Sequence, residues 1–312
     1  MRVVFFGSPA FAVPTLAALV EAPEITVVGV VTQPDRPRGR GQKVTPGPIK
    51  RFAESHGLPV LQPGRLADPG VREALGALGA DLGIVAAYGK ILPAWLLAQP
   101  AGGLLNVHAS LLPAYRGAAP VHRAIMDGAR TTGVTIMRVV LELDAGPMLD
   151  RVTVPIDDAI TSDALESVLA RAGAALLAQV LDRLRRGPVA ETDQNHAQAT
   201  YAPKITRNDA PMDWRRPAQA LHDQIRGLHP WPHASFTGAG RRVIAHRSVV
   251  PASPTDAPPG TVVATSAHGI DVAAGDGTVL RLLTLQLEGG RPLEAAAFQA
   301  GRGLAVGEVC GP

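Results

Sequence analysis

Cysteine is almost absent from this sequence, because Cys310 is the one cysteine among 312 residues. A lone cysteine excludes an internal disulfide framework and a multi-cysteine metal site. Long hydrophobic runs are also lacking, since Gly, Pro, Asp or Arg interrupts every apolar segment before the roughly 20 residues of a membrane span. The first apolar run stops at Gly7 and is too short for a signal peptide. We expect a soluble, cytoplasmic protein that does not bind membranes.

Metal-binding and dinucleotide-binding motifs are missing as well. The nine histidines show no paired ligand spacing. His229 and His233 stand four positions apart, but Pro230 and Pro232 prevent the helix that would align the two rings. The Phe-Gly-Ser-Pro turn at residues 6–9 lacks the spacing of a glycine-rich dinucleotide fingerprint. We therefore expect no metal and no nicotinamide chemistry.

The composition is that of a folded globular protein, with 46% hydrophobic and 18% charged residues. A length of 312 residues exceeds one average domain and predicts two. The first part alternates apolar β-branched runs with amphipathic stretches, which predicts an α/β fold with a Rossmann-like, mostly parallel sheet. Short runs separated by Pro- and Gly-rich turns follow, and they predict a smaller β-barrel similar to an OB fold. The predicted limits are 1–189 for the N-terminal domain, 190–206 for a linker and 207–312 for the barrel.

Hydrophobic periodicity sets approximate limits for the elements. Strands are predicted at 3–7, 27–32, 59–61, 82–86, 102–108, 133–139, 242–250, 260–265, 269–273 and 278–287. Helices are predicted at 13–22, 49–56, 70–78, 119–129, 162–186 and 217–228.

Positive charge is concentrated in one short segment. The stretch 34–51 has one acidic residue, Asp35, and six basic residues, whereas the whole chain carries a net charge of only +3. The basic residues are Arg36, Arg38, Arg40, Lys43, Lys50 and Arg51. Such a segment suits an anionic partner with phosphate groups. A solvated surface loop is the alternative interpretation.

Asn106 and His108 form the first candidate catalytic pair. They are two residues apart at the end of a predicted strand, so their side chains point to the same side. An amide and an imidazole that converge on one atom can stabilise an oxygen that gains negative charge when a carbonyl is attacked. A turn held by local hydrogen bonds of Asn and His is the structural alternative.

Asp144 adds a carboxylate to this pair. It follows the next predicted strand, and we expect it to emerge at the same edge of the sheet. The three groups would supply oxyanion donors and a base for an attacking amine, which favours direct acyl transfer without a nucleophilic Ser or Cys. An Asp that only forms a turn before glycine is the alternative.

Ten segments along nearly the whole chain form a recognisable set of motifs: Phe-Gly-Ser-Pro at 6–9, Thr-Gln-Pro-Asp-Arg-Pro at 32–37, Ala-Tyr-Gly-Lys-Ile-Leu-Pro at 87–93, Asn-Val-His at 106–108, Ser-Leu-Leu-Pro at 110–113, Arg-Gly-Ala-Ala-Pro at 116–120, Thr-Gly-Val-Thr-Ile-Met at 132–137, Thr-Tyr-Ala-Pro-Lys-Ile at 200–205, Asp-Trp at 213–214 and Pro-Trp-Pro at 230–232. In these segments the chain resembles the methionyl-tRNA formyltransferase family.

This resemblance implies transfer of a formyl group from 10-formyltetrahydrofolate to the methionine of initiator tRNA, by a cytoplasmic enzyme that is a monomer. It implies catalytic roles for Asn106, His108 and Asp144. It also implies folate contacts at Ser110, Leu111, Leu112, Pro113, Tyr88, Gly89, Ile91 and Leu92. Contacts with tRNA are implied for Arg36, Arg38, Arg40, Lys43 and Lys204, and the barrel would support the tRNA.

Two segments depart from the family pattern. Residues 142–147 read Glu-Leu-Asp-Ala-Gly-Pro where Gly-Leu-Asp-Thr-Gly-Asp is usual, and Ala114-Tyr115 replaces Arg-Trp. Pro147 fixes φ and removes a backbone donor close to Asp144. Two other functions stay open: a formyltransferase for a small amino acceptor such as an amino sugar, and a noncatalytic RNA-binding protein.

Overall fold

The computed structural model describes residues 1–38, 43–238, 240–301 and 303–312. They form two compact units. The first unit comprises Met1–Pro120, Thr131–Pro155 and Glu166–Ala202, and the second comprises Val121–Arg130, Ile156–Leu165 and Pro203–Pro312. The predicted domain limits at 189 and 207 stay a prediction.

The first unit contains eleven strands among its described residues. They are β1 (Arg2–Gly7), β2 (Thr26–Val31), β3 (Arg36–Arg38), β4 (Lys43–Thr45), β5 (Val60–Leu61), β6 (Leu82–Ala86), β7 (Leu104–His108), β8 (Arg116–Gly117), β9 (Thr131–Arg138), β10 (Met148–Pro155) and β11 (Tyr201–Ala202). The helices of the chain are α1 (Val13–Glu21), α2 (Pro48–Ser55), α3 (Pro69–Ala77), α4 (Ala94–Leu97), α5 (Pro120–Met126), α6 (Ser162–Arg186), α7 (Ala218–Gly227) and α8 (Ala295–Ala300).

A seven-stranded sheet forms the core of the first unit, in the order β10-β9-β7-β6-β1-β2-β5. Strands β5, β2, β1, β6 and β7 run parallel, whereas β9 is antiparallel to β7 and β10 is antiparallel to β9. Residues such as Phe5 and Ile84 are completely buried in this core. The predicted α/β fold with a mostly parallel sheet is confirmed.

Helix α6 packs closely on the strands that carry the candidate site. A Cβ placed on Gly173 would lie 2.7 Å from a methyl group of Val107 in β7 and 3.2 Å from one of Val134 in β9. By length and composition alone, α6 is apolar enough to cross a membrane, and half of its most apolar window is buried inside the protein. Burial of Leu169 and Leu177 is typical of a core helix.

The second unit contains a separate antiparallel sheet, as expected for the C-terminal part. Its strands are β12 (Ala234–Gly238), β13 (Arg241–Val249), β14 (Val262–Ser266), β15 (Gly269–Ala273), β16 (Val279–Leu287) and β17 (Leu293–Glu294). They follow the order β12-β13-β16-β15-β14, and β17 also pairs with β16.

The last residues of the chain connect the two edges of this sheet. Gly311 pairs with Thr237 of β12, and Val309 pairs with Thr261 beside β14. This pairing supports the predicted barrel, because it links the first strand of the sheet to the last. Between these pairs, Cys310 is buried, and burial raises the pKa of its thiol to about 12. The thiol therefore stays protonated and is a poor nucleophile.

The segment predicted as a linker also makes structural contacts. Thr192 forms an antiparallel bridge with Met148 at the start of β10. Further along, β11 pairs in parallel with β8. Thr192 and the two residues of β11 are therefore held within the first unit by backbone pairing.

Candidate active site

Two polar side chains lie on one face of strand β7. Asn106 and His108 are two positions apart, so the pleat of the strand turns both to the same side. His108 pairs with Thr135 of β9, which places it inside the sheet and not at an edge strand. Its side chain is only 6% exposed. A buried imidazole in this position needs polar partners close by.

Loop 139–147 brings a carboxylate to these side chains. Because β9 runs antiparallel to β7, this loop starts beside Leu104, at the amino end of β7. The chain then folds back, and Asp144 Oδ1 accepts a hydrogen bond from Asn106 Nδ2 at 3.4 Å. Asp144 Oδ2 lies 3.7 Å from His108 Nδ1. We expected β9 to end at the same edge of the sheet as β7, and this expectation was wrong, because β9 runs in the opposite direction. Asp144 still reaches Asn106 and His108, because the loop folds back.

The backbone around Asp144 is held in an uncommon conformation. Asp144 has a φ of 48°, in the left-handed region that non-glycine residues rarely adopt. The N–H of Gly117 donates to Asp144 Oδ2 at 2.9 Å. Gly117 itself has a φ of 115°, and a Cβ there would lie 2.9 Å from the carbonyl oxygen of Ala202. Only glycine therefore fits where the turn donates to the carboxylate.

A main-chain carbonyl orients the imidazole of His108. His108 Nε2 lies 3.0 Å from the carbonyl oxygen of Tyr115. Because a carbonyl oxygen only accepts hydrogen bonds, we assign a proton to Nε2. His108 Nδ1 then faces the Asp144 carboxylate. The turn that presents this carbonyl contains Tyr115 at a φ of 59°, and the Tyr115 N–H donates to Thr200 Oγ1 at 2.9 Å.

Residues 110–113, predicted to contact folate, form a tightly bonded turn next to His108. Ser110 Oγ donates to the carbonyl oxygen of Ala114 at 2.6 Å, so its hydroxyl hydrogen is already used. Thr135 Oγ1 donates to the Ser110 carbonyl at 2.7 Å and accepts from the Leu112 N–H at 3.2 Å. Leu112 is fully buried, whereas Leu111 and Pro113 are half-buried. Within this turn, Leu111 and Pro113 are the side chains open to a ligand.

The second predicted folate segment follows β6. Tyr88 is buried and packs edge-on against Phe6, with ring centroids 5.7 Å apart. Burial raises the pKa of Tyr88 to about 12. Gly89 takes a φ of 76°, which turns the chain outward, and Ile91 is then 94% exposed. Leu92 packs partly against the core cluster that includes Tyr88.

Exposed apolar side chains accumulate on the two loops beside the polar trio. In loop 139–147, Leu141 is 74% and Leu143 is 59% exposed, and Ile91 projects from the segment after β6. Val139 and Leu92, at the bases of these loops, pack against the same core cluster. Exposed apolar side chains that form one patch can mark a site for a ligand or a partner.

A cavity of about 380 Å³ lies where the parallel strands β1 and β2 end. Ser8, Thr32, Gln33, Asp35 and Arg36 contribute polar groups to its lining. Chain order reverses at β1, which has β6 on one side and β2 on the other. Ligands of open α/β sheets bind at such a reversal point.

One of the basic residues predicted to bind tRNA borders this cavity. Arg36 lines it, and strand β3 pairs with β4 so that Arg38 lies opposite Lys43. Arg40 falls outside the described residues. Lys204, in the second unit, is exposed.

One basic residue of this segment is already paired. Lys50 Nζ binds Asp35 Oδ2 at 2.6 Å, and the ammonium group holds the pKa of the Asp35 carboxyl below its usual value.

Both units match known families. Residues 1–181 match the model described as formyl transferase, and residues 204–303 match the formyl transferase C-terminal domain. The methionyl-tRNA formyltransferase of Halalkalibacterium halodurans is 45% identical, with 100% of this chain and 98% of the relative covered. That of Bacillus subtilis is 44% identical over 99% of this chain and 98% of the relative. The chain belongs to the methionyl-tRNA formyltransferase family.

Solved structures show the same fold in more distant proteins. The N-formyltransferase of Helicobacter canadensis, in complex with folinic acid and dTDP-3-aminofucose, superposes with a TM-score of 0.69. It is 16% identical, and 90% of this chain and 98% of that chain are covered. Membership of the family confirms the resemblance predicted from the sequence motifs and the expected class of formyl-transferring enzyme.

Among the described residues, no group of three or more His, Cys, Asp or Glu side chains could hold a metal ion. The site instead offers a carboxylate that lies close to both an amide and an imidazole. Such a set can donate to a charged oxygen and accept a proton.

Sequence reasoning missed three contacts that hold the trio together. They are the Gly117 N–H on Asp144, the Tyr115 carbonyl on His108, and the side chain of Gln194 on the backbone of loop 139–147. The first two are main-chain groups, which residue identity does not show. Gln194 lies in the polar stretch that was predicted as a linker, and no local pattern distinguishes it.

Proposed function

We propose that the chain transfers the formyl group of 10-formyltetrahydrofolate to the amino group of methionine on initiator tRNA. The observation that carries this proposal is the contact of Asp144 with both Asn106 and His108. It occurs in a chain whose relatives at 44–45% identity bear the name methionyl-tRNA formyltransferase. The three groups need no nucleophilic Ser or Cys, which suits direct transfer between two bound substrates.

In this proposal the methionine nitrogen attacks the formyl carbon, and the bond from that carbon to the folate nitrogen breaks. Asn106 Nδ2 directs its second hydrogen to the formyl oxygen. His108 turns its Nε2–H from the Tyr115 carbonyl to the same oxygen. These donors stabilise the negative charge that develops there. Asp144 accepts the proton that the amine loses, directly or through water, and returns it by the same route to the departing folate nitrogen.

The folate co-substrate supplies the activated formyl group, and the exposed apolar loops offer a surface for its rings. Ile91, Leu141 and Leu143 would cover the flat faces of the rings, since this burial removes apolar surface from water. Leu111 and Pro113 would contact the folate from the turn beside His108, and backbone groups from Tyr88 to Leu92 would line the same pocket. Buried Ser110 and Leu112 would shape the site from behind.

The acceptor would approach from the basic segment. Arg36, Arg38, Arg40 and Lys43 would contact phosphates near the aminoacylated end of the tRNA, and Lys204 would contact it from the second unit. In this proposal residues 1–189 form the catalytic domain, and 207–312 form a barrel that supports the tRNA. The enzyme would act as a cytoplasmic monomer.

The salt dependence of the reaction tests this acceptor. We expect Arg36→Ala, Arg38→Ala and Arg40→Ala each to raise the KM for methionyl-tRNA and to reduce its logarithmic salt slope by about one, because each removes one phosphate contact. The KM for folate should not change. Arg65→Ala, at an exposed arginine outside the basic segment, is the matched control.

A second assay distinguishes tRNA from a small acceptor. Formyl transfer to methionyl initiator tRNA and to a nucleotide-linked amino sugar is measured side by side with the same enzyme. The proposal requires the tRNA to have the higher kcat/KM. A higher value for the amino sugar, or slopes unaffected by all three substitutions, would refute the acceptor.

A further inference from the structure

A buried arginine binds the side chain of Gln194. Arg116 is 1% exposed, and its Nε and Nη2 both donate to Gln194 Oε1, at 3.1 Å and 2.8 Å. Its Nη1 lies 3.5 Å from Glu142 Oε1, and its Nη2 lies 3.4 Å from His196 Nδ1. Arg116 therefore makes its hydrogen bonds within the first unit, and its main partner is Gln194.

Gln194 in turn hydrogen-bonds to the loop that carries Asp144. Gln194 is 4% exposed. Its Nε2 donates to the carbonyl oxygen of Asp144 at 2.9 Å and to that of Gly146 at 2.7 Å. Both hydrogens of the amide are therefore used on the loop, and its oxygen takes both bonds from Arg116. The arginine fixes which way the amide faces, because only the oxygen can accept from a guanidinium.

The loop needs such support for two reasons. Asp144 has a φ of 48°, a conformation that costs free energy for a non-glycine residue and persists only where neighbours impose it. The loop must also fold back from the end of β9 to reach Asn106 and His108. The Gly117 N–H reaches only the tip of the Asp144 side chain. The two bonds from Gln194 hold the main chain on both sides of Ala145, in addition to a bond from the Ala145 N–H to the Glu142 carbonyl at 3.4 Å.

The same segment holds the opposite side of the site. The Thr200 carbonyl accepts from the Arg116 N–H at 2.9 Å, and Thr200 Oγ1 accepts from the Tyr115 N–H at 2.9 Å. Tyr115 presents the carbonyl that orients His108. Residues 194–200 therefore contact both the loop of Asp144 and the turn beside His108.

We infer that Gln194, oriented by buried Arg116, is a positioning residue for formyl transfer. It touches neither substrate. It holds the main chain of Asp144 so that the carboxylate meets Asn106 and His108. This inference rests on the proposed role of Asp144 in the reaction. It assigns a function in the site to a segment that sequence patterns identify only as a connection.

Substitution of Gln194 tests the inference in a way that separates positioning from folding. We expect Gln194→Ala to lower kcat by about 10- to 100-fold, because a displacement of about 1 Å at a reacting group costs that order of rate. The KM values for folate and tRNA should stay nearly unchanged. Gln198→Ala, an exposed glutamine in the same segment, is the control and should keep full activity.

Two conservative variants show which hydrogen bonds of Gln194 are responsible for the loss of kcat. Gln194→Glu keeps an acceptor for Arg116 but loses both donors to the loop, so its kcat should fall as far as that of the alanine variant. Arg116→Lys keeps the charge but cannot donate to one oxygen from two nitrogens, so we expect a smaller loss of kcat. If Gln194→Ala does not fold, the kcat values of these two variants still test the positioning role of Gln194.

The outcomes distinguish this inference from the proposed function. Full kcat in Gln194→Glu, or a lower Tm with unchanged kcat per folded enzyme in Gln194→Ala, would overturn the positioning role. His108→Ala is measured in parallel. An inactive wild-type enzyme would instead overturn the proposed function itself.

Discussion

Asp144→Asn should slow formyl transfer in a single turnover by about 100- to 10,000-fold, the usual range for loss of a positioned proton acceptor. Asparagine keeps the size and the turn but cannot take a proton from the amine. Its amide also fits poorly, because Asp144 accepts from Gly117 N–H on one oxygen and from Asn106 Nδ2 on the other. An NH2 group at either position would face another donor.

The measurement is rapid-quench transfer of labelled formyl with enzyme in excess over tRNA. Asp193→Asn is the matched control, since Asp193 is an exposed carboxylate next to Gln194. We expect it to react as the wild type does. A rate for Asp144→Asn within a few-fold of wild type would remove Asp144 from the reaction.

Asp223→Ala should lower the free energy of unfolding by about 3–5 kcal/mol, because it leaves a buried guanidinium without its carboxylate partner. Asp223 Oδ1 lies 2.8 Å from Arg226 Nη2 and accepts from Arg226 Nε at 2.9 Å, with both side chains at most 5% exposed. Arg226 Nη1 also donates to the carbonyls of Asp157 and Ile160. These bonds hold the charge in place after its partner is gone.

Urea denaturation of three variants tests this pair. Asp223→Leu combined with Arg226→Met should recover part of the loss, since apolar replacement of both partners removes the buried charge. Recovery stays incomplete because the two carbonyls lose their donor. Glu288→Ala, which breaks the exposed pair with Arg242, is the control and should cost less than about 1 kcal/mol. A loss for Asp223→Ala no larger than this control would contradict the account.

The parallel half of the main sheet could be predicted from sequence because its strands are continuous apolar runs. In β1 every residue after Arg2 is buried, and in β6 all five residues are buried. Such runs are typical of strands covered on both faces. Helix α6 was predicted with its observed limits, since its apolar periodicity persists until Gly187.

Two edge strands, β10 and β12, were missed, whereas β5 and β14 at the opposite edges of the two sheets were predicted. Strand β10, at the edge of the main sheet, alternates half-exposed and exposed residues from Asp150 onward. Its β-branched run, Val-Thr-Val at 152–154, is short and lies between the charged pair Asp150-Arg151 and Pro155, which are typical of a loop. Strand β12 is only five residues long and follows a stretch rich in proline and histidine. The local sequence signal of these two strands is weak, because their pairing depends on the neighbouring strands.

The candidate site, like the fold, could be predicted only in part from the sequence. The two-residue spacing of Asn106 and His108 sufficed to predict a shared face. The approach of Asp144 depends on the antiparallel direction of β9, a tertiary feature that spacing does not determine. Gln194 reaches Asp144 from 50 positions away, and its role follows only from the fold.

Asn106 and His108 on β7 and Asp144 on loop 139–147 carry the proposed formylation of methionyl-tRNA. The decisive test is single-turnover transfer of labelled formyl from 10-formyltetrahydrofolate to methionyl initiator tRNA, by wild type and His108→Ala. We predict rapid transfer by the wild type and a rate about 100- to 1,000-fold lower for His108→Ala, the usual cost of losing one donor to a developing oxyanion. No transfer by wild-type enzyme that binds folate, or equal rates for the two proteins, would contradict the account.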